Sequence, residues 1–249
     1  MSLEPNLTDL AMKYGSDKAG AHQYTQHYER YFTPVRKAPL NILEIGVGGY
    51  DAKDKGGASL YMWRDYFPCA SIYGIDIYDK SGLEGERIKI FRGDQADEDF
   101  LNHVGNTIGP IDIIIDDGSH VNRHVIKTFK TLFQHLRARG IYAVEDVQTS
   151  YWPEQGGNSF SLSNPATIMG YFKSLTDGLN YQELDNPFYE ATALDKSITN
   201  ISFYHNLIFI TKGDNNEGSN AGCTDVDRVR ANRRSFSYQL RRLQSYIWR

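Results

Sequence analysis

The sequence has little of what would tie it to a specialised class. Two cysteines in 249 residues, Cys69 and Cys223, are too few for a disulfide framework and lack the paired spacing of a zinc site. A reducing compartment is expected. No stretch approaches the ~18 apolar residues a membrane span needs, and the opening MSLEPNLTDL lacks the basic-then-apolar order of a secretory leader. The expectation is a cytoplasmic protein with no membrane partner. Charge of neither sign dominates: 27 Lys+Arg stand against 31 Asp+Glu, so a net −4 gives no global attraction for nucleic acid. Glycine (22) and proline (8) occur without a period, which excludes a collagen-like chain. What is present suffices for a core, since 40% of residues are hydrophobic and a chain this long buries roughly 70–75% of its unfolded surface. Tyrosine, at 17, is unusually frequent.

Apolar runs bounded by glycine or acids predict strands over Leu40–Ile45, Ser71–Ile77, Ile88–Phe91, Ile111–Ile115 and Ile141–Val144. The last two are continuous rather than alternating, the pattern of parallel strands covered on both faces. Helices are expected over Ala58–Phe67, Glu98–Val104 and Val121–Leu136, the last with apolar residues at 121, 125, 126, 129, 132, 133 and 136. This alternation argues for a doubly wound α/β fold, whose ligands bind beyond the carboxyl ends of the strands. Residues 146–197 break the rhythm, and about 151–195 read as an insertion covering the site, with a short helix around Ala166–Leu175. Ile198–Thr211 reads as a hairpin turning at Tyr204–Asn206. An antiparallel hairpin closing a mostly parallel, seven-stranded sheet is the finish of Rossmann-like methyltransferases. The main domain is therefore expected over 1–212, followed by a polar linker at 213–225.

The first strand ends Leu43-Glu44-Ile45-Gly46-Val47-Gly48-Gly49, an acid followed by glycines that permit a turn and close approach of a ligand. Asp51 stands where the third glycine of a dinucleotide fingerprint belongs, so NAD is disfavoured. Asp76 ends the second strand, where a carboxylate can accept two ribose hydroxyls. Asp94 and Gln95 end the third, within reach of an adenine. Acids at three successive strand ends fit S-adenosylmethionine, which has ribose and adenine but no pyrophosphate.

Strand four ends Ile115-Asp116-Asp117-Gly118-Ser119-His120 and strand five ends Val144-Glu145-Asp146. Adjacent strand ends bring Asp117, Glu145 and Asp146 around one point, where three carboxylates repel unless a cation lies between them. A hard divalent ion such as Mg²⁺ answers this. The alternative is that some of these acids cap the following helices, Asp116 foremost. His120 can take a hydroxyl proton near such an ion, or can instead bond a loop carbonyl.

From Tyr14-Gly15-Ser16-Asp17-Lys18 through residues 43–50, 56–63, 73–80, 93–95, 115–120 and 145–152, the sequence resembles the metal-dependent macrolide-sugar and rhamnosyl O-methyltransferases. The resemblance covers some four-fifths of the chain. It implies Mg²⁺ on Asp117, Glu145 and Asp146, His120 as the base, S-adenosylmethionine as cofactor and a natural-product glycoside as substrate. A catechol-type O-methyltransferase with similar metal geometry is the runner-up, although there the third residue past the metal aspartate is typically Lys. A nucleic-acid-binding module using the Arg-rich end is a third reading that leaves the acids unexplained.

The segment His22–Tyr28 either closes Tyr24 and Tyr28 over the sulfonium of the cofactor or packs them, with Phe32, into the core. Tyr151 and Trp152 line the acceptor pocket or the core. Finally, Phe236, Leu240, Leu243 and Ile247 predict an amphipathic Arg-rich helix over 226–249, used for homo-oligomerisation.

Overall fold

The computed structural model describes residues 5–219 except 185 and 187. The helix expected over 226–249 and the end of the linker lie outside the described residues. In chain order the elements are α1 (Leu7–Tyr14), α2 (Thr25–Phe32), β1 (Asn41–Ile45), α3 (Ala58–Tyr66), β2 (Ser71–Asp76), β3 (Ile88–Arg92) and α4 (Glu98–Ile108). They continue as β4 (Ile111–Asp116), α5 (Asn122–Leu132), β5 (Leu136–Glu145), α6 (Ile168–Ser174), α7 (Ala193–Ser197), β6 (Ile198–Tyr204) and β7 (Leu207–Lys212). The sheet runs β3-β2-β1-β4-β5-β7-β6. Strands β1 to β5 pair in parallel, and β7 joins β5 and β6 antiparallel.

Each strand feeds both faces, because successive side chains point to opposite sides. Ile42, Ile113, Ile115, Ala143 and Phe209 meet the residues of α1, α2 and α3, including Tyr28, Phe32 and Trp63. Their neighbours Leu43, Ile45, Ile114, Tyr142, Val144 and Ile210 meet α4, α5 and α6. The first layer is strongly aromatic: the Tyr28 ring packs edge-on to Trp63 and Phe209 at 5.1 and 5.2 Å. Local chemistry fixes the helix ends. Asn6 caps α1 by accepting the Asp9 N–H at 2.8 Å, and α1 stops at Gly15 in the left-handed region. Asp97 caps α4 through the N–H groups of Asp99 and Phe100.

Several expected boundaries move, and α4 runs on to Ile108 rather than ending at Val104. The helix α5 ends at Leu132, a 3₁₀ turn covers Phe133–His135, and β5 begins at Leu136 rather than Ile141. The exposed Arg137-Ala138-Arg139 carries no apolar signal, yet continues the strand. Ile77 lies beyond β2 and is 58% exposed. The hairpin turns where expected, with Asn206 in the left-handed region. No helix among the described residues is long and apolar enough to cross a membrane.

Candidate active site

Strand order reverses between β1 and β4, so the loops leaving them diverge and open a crevice at the carboxyl end of the sheet. The glycine turn after β1 forms one wall. Gly46, at φ +90°, passes so close to strand four's exit that a Cβ would stand 2.1 Å from the Asp117 carbonyl oxygen. Gly48, at φ +75°, has nothing within 4 Å of its missing Cβ and is exposed. Gly46 thus serves a backbone crossing, and Gly48 borders open space.

The acid at each neighbouring strand end does something different. Asp76 is half-buried and accepts the N–H of Val47 at 3.0 Å and of Tyr78 at 2.9 Å, which ties the glycine turn to β2. Asp94 is exposed and accepts the Ala96 N–H. Gln95 is turned inward. Its amide donates to Asp116 at 3.2 Å and Thr128 at 3.1 Å and accepts the Ser119 N–H at 2.6 Å, so it braces the turn after β4. Asp116 does not cap α5, whose N-cap Val121 makes no side-chain cap bond. It is buried between Gln95 and the Tyr142 hydroxyl, and burial pushes its carboxyl up to about 7.

Beside this lies a dense acidic group with a partner that sequence reasoning missed. Lys18, fully buried, places its ammonium 2.6 Å from Asp117 Oδ2, 2.9 Å from Glu145 Oε1 and 3.3 Å from Glu44 Oε1. Burial opposes its charge, but the carboxylates of Asp117, Glu145 and Glu44 more than offset that and hold its pKa well above the ordinary lysine value. Glu44 is also buried; it accepts Ser59 Oγ–H at 2.8 Å and faces Lys18. It is thus part of an internal ion-pair group.

Tyr24 and Tyr28 lie in the core, 3% and 0% exposed, and α2 packs inward as its amphipathic pattern allows. Of the two arrangements open to these tyrosines, the structure shows the inward packing. Their hydroxyls instead reach the acids: Tyr28 donates to Glu145 Oε1 at 2.5 Å, and Tyr24 donates to Asp146 Oδ1 at 2.7 Å and the Asn206 carbonyl at 3.2 Å.

His120 faces the cluster. Its Nε2 stands 3.9 Å from Asp117 Oδ1 and 3.8 Å from Asp146 Oδ2, while its Nδ1 is buried without a hydrogen-bond partner among the described residues. Both His120 (φ +54°) and Asp146 (φ +51°) adopt left-handed backbone conformations, costing of order 1–3 kcal/mol each in a non-glycine residue. That strain aims both side chains at the same point.

The residues fit a divalent cation. Asp117, His120 and Asp146 each offer a ligand atom within 4.8 Å of the others. Glu145 is outside that tight group, and Tyr28 and Lys18 engage its Oε1. Each of the three acids has one oxygen held and one left over: Asp117 Oδ1, Glu145 Oε2 and Asp146 Oδ2 accept no hydrogen bond from the described residues. Three spare oxygens of hard character suit Mg²⁺. Tyr151 and Trp152 follow directly, 36% and 46% exposed, at the start of a segment that also exposes Phe160, Leu162, Leu184 and Phe188.

Fold and site together define a Rossmann-like α/β fold of the S-adenosylmethionine methyltransferase type, with a carboxylate cluster at its switch point. The chain is a homologue of the macrolide-sugar and rhamnosyl O-methyltransferases. It is 43% identical over 219 residues to mycinamicin VI 2''-O-methyltransferase of Micromonospora griseorubida, matching 87% of this chain and 55% of that one. It is 43% identical to demethylmacrocin O-methyltransferase of Streptomyces fradiae, over 89% of this chain and 56% of the relative. The tetracenomycin-C rhamnosyl 2'-O-methyltransferase of Streptomyces olivaceus is 42% identical over 91% and 58% respectively. The mycinamycin-pathway methyltransferase solved with Mg and S-adenosylhomocysteine superposes with a TM-score of 0.84 at 43% identity, covering 87% of this chain and 56% of that one. The chain thus spans a little over half the length of these relatives. No protein-family model matches the sequence.

Proposed function

We propose that this protein is an S-adenosylmethionine- and Mg²⁺-dependent O-methyltransferase that methylates a hydroxyl of a deoxysugar on a natural-product glycoside in antibiotic biosynthesis. The observation that carries the reading is the trio Asp117, Glu145 and Asp146, each with one oxygen held by the protein and one spare, beside His120. The relatives named for such methylations, and the neighbour that binds Mg and S-adenosylhomocysteine, support it.

When bound, the cofactor supplies an electrophilic methyl and the ion lowers the pKa of the hydroxyl it touches. The protein supplies position. Asp117, Glu145 and Asp146 would hold the ion; Gly48, Asp76 and the loop carrying Asp94 would receive the ribose and adenine. Glu44, Gly46 and Gln95, all committed inside the fold, would shape that site from behind. His120 would take the hydroxyl proton on Nε2, the nitrogen facing Asp117 and Asp146, whose negative charge stabilises the imidazolium formed. Tyr151 and Trp152 would contact the acceptor sugar, with the exposed apolar side chains beyond them offered to the aglycone.

We also place the enzyme in the cytoplasm on its cysteine usage, and expect a homo-oligomer, which light scattering at micromolar concentration tests directly. For the activity, EDTA should abolish methyl transfer to a deoxysugar glycoside and Mg²⁺ should restore it. Full turnover in metal-free enzyme, or transfer to a catechol in preference to the glycoside, overturns the reading.

A further inference from the structure

Residues 18–28 do more than cover the first face of the sheet. We propose that Lys18, Tyr24 and Tyr28 are positioning residues of the metal centre, an outer shell contributed wholly by the N-terminal segment. The inference rests on the Mg²⁺ reading above and goes beyond it by assigning these three side chains to the ion rather than to the cofactor.

Each contact is selective for one oxygen of one acid. Lys18 Nζ takes Asp117 Oδ2, and Asp117 Oδ1 is the oxygen turned towards His120. Tyr24 takes Asp146 Oδ1, and Oδ2 is the oxygen turned towards His120. Tyr28 and Lys18 share Glu145 Oε1 and leave Oε2 without a donor among the described residues. A carboxylate free to rotate would present either oxygen; one pinned at 2.5–2.9 Å presents a single, fixed one. Partners of this kind orient metal ligands, and their loss typically costs 10–100-fold in metal affinity.

Charge supports the same assignment. Glu44, Asp117, Glu145 and Asp146 converge on one region, and Lys18 is the ammonium among them. Glu44 and Glu145 are 0% and 2% exposed and lean on that ammonium for compensation. Lys18 cannot exchange freely with an incoming ion, because its side chain is 1% exposed. It therefore stays with the buried Glu44 and Glu145, while Asp117 and Asp146 keep side chains 22% and 20% exposed.

The test measures binding of Mn²⁺ by electron paramagnetic resonance of the free ion, and of S-adenosylhomocysteine by calorimetry. Both use the full chain, wild type and the variants Tyr24→Phe, Tyr28→Phe, Lys18→Met and Lys18→Gln. The Tyr→Phe changes remove one hydroxyl each and preserve the packed rings. Expected are Mn²⁺ dissociation constants raised about 3–10-fold by each Tyr→Phe and ~10–100-fold by the Lys18 variants. Affinity for S-adenosylhomocysteine should stay within about threefold throughout. Tyr28→Phe combined with Lys18→Met should cost less than the sum of the two, since both hold Glu145 Oε1. Unchanged Mn²⁺ affinity in the two Tyr→Phe variants overturns the proposal even if the Lys18 variants do not fold. Tighter Mn²⁺ binding in a folded Lys18 variant also overturns it, because the ammonium would then be standing in the ion's place. Wild type that binds no Mn²⁺ at all sinks the metal reading itself, a distinguishable result.

Discussion

Asp116 offers a sharp measurement because its neighbours and its burial pull in opposite directions. The carboxyl lies at the end of β4, 1% exposed, and burial raises its pKa to about 7 against the hydrogen bonds from Gln95, the Gly118 N–H and Tyr142. In an unfolded chain an aspartate titrates near ~3.9. The folded state therefore binds more protons than the unfolded one between those two values, and stability must fall as pH rises through that window. With those two pKa values, the proton contributes about 3 kcal/mol at pH 5 and almost nothing at pH 8. Asp116→Asn removes the titration and keeps an oxygen for the Gln95 amide. Relative to wild type, the variant should gain about 2–3 kcal/mol between pH 5 and pH 8. Urea unfolding followed by tryptophan fluorescence at intervals across that range, with EDTA present, reads the difference directly. Stability profiles that run parallel for the two proteins would refute the reasoning, and so would a wild type that becomes relatively more stable towards pH 8.

Other outcomes follow from the same geometry. His120→Ala should lower kcat by ~10²–10⁴ with a smaller effect on Mn²⁺ affinity, and near-normal turnover would move the base elsewhere. Gly46→Ala should destabilise the fold by more than about 3 kcal/mol, since its Cβ would meet the Asp117 carbonyl at 2.1 Å in a left-handed backbone. Gly48→Ala carries the strain without the clash and should cost only about 1 kcal/mol in stability, while weakening S-adenosylhomocysteine; equal thermal shifts for the two variants would contradict this contrast. Removal of divalent ions should leave S-adenosylhomocysteine binding within about threefold, measured by calorimetry in EDTA, because the expected cofactor contacts and the acids belong to different strand ends.

The parts of the molecule that could be read from sequence are those where one residue type repeats at a fixed spacing. Ile113, Ile114 and Ile115 announce a strand buried on both sides, and the hairpin shows as two apolar runs around Asn206. The acids at the ends of β4 and β5 were legible because a strand end fixes where its last side chains go. What stayed hidden depends on contacts between distant segments. A lone lysine in the polar stretch Gly15–Ala21 looks solvated, and only the packing of α1 and α2 against the sheet brings it 2.6 Å from a residue 99 positions away. Its one sequence signal was membership of Tyr14-Gly15-Ser16-Asp17-Lys18, a motif recognised by likeness and given no chemistry. The inward turn of Gln95 was equally invisible, because its partners Asp116, Ser119 and Thr128 come from two later elements.

The Tyr24 hydroxyl bridges Asp146 and the carbonyl of Asn206, which is 182 residues further along the chain, and the ring of Tyr31 stacks on Phe209 at 4.3 Å. The segment carrying α2 is therefore completed by strands that lie some 180 residues later in the sequence. Before β6 and β7 are in place, Tyr24 lacks the Asn206 carbonyl, and α2 packs on Trp63 and Phe67 without Phe209. The closing hairpin thus seats against helices made some 180 residues earlier, and the site is finished only when it does so.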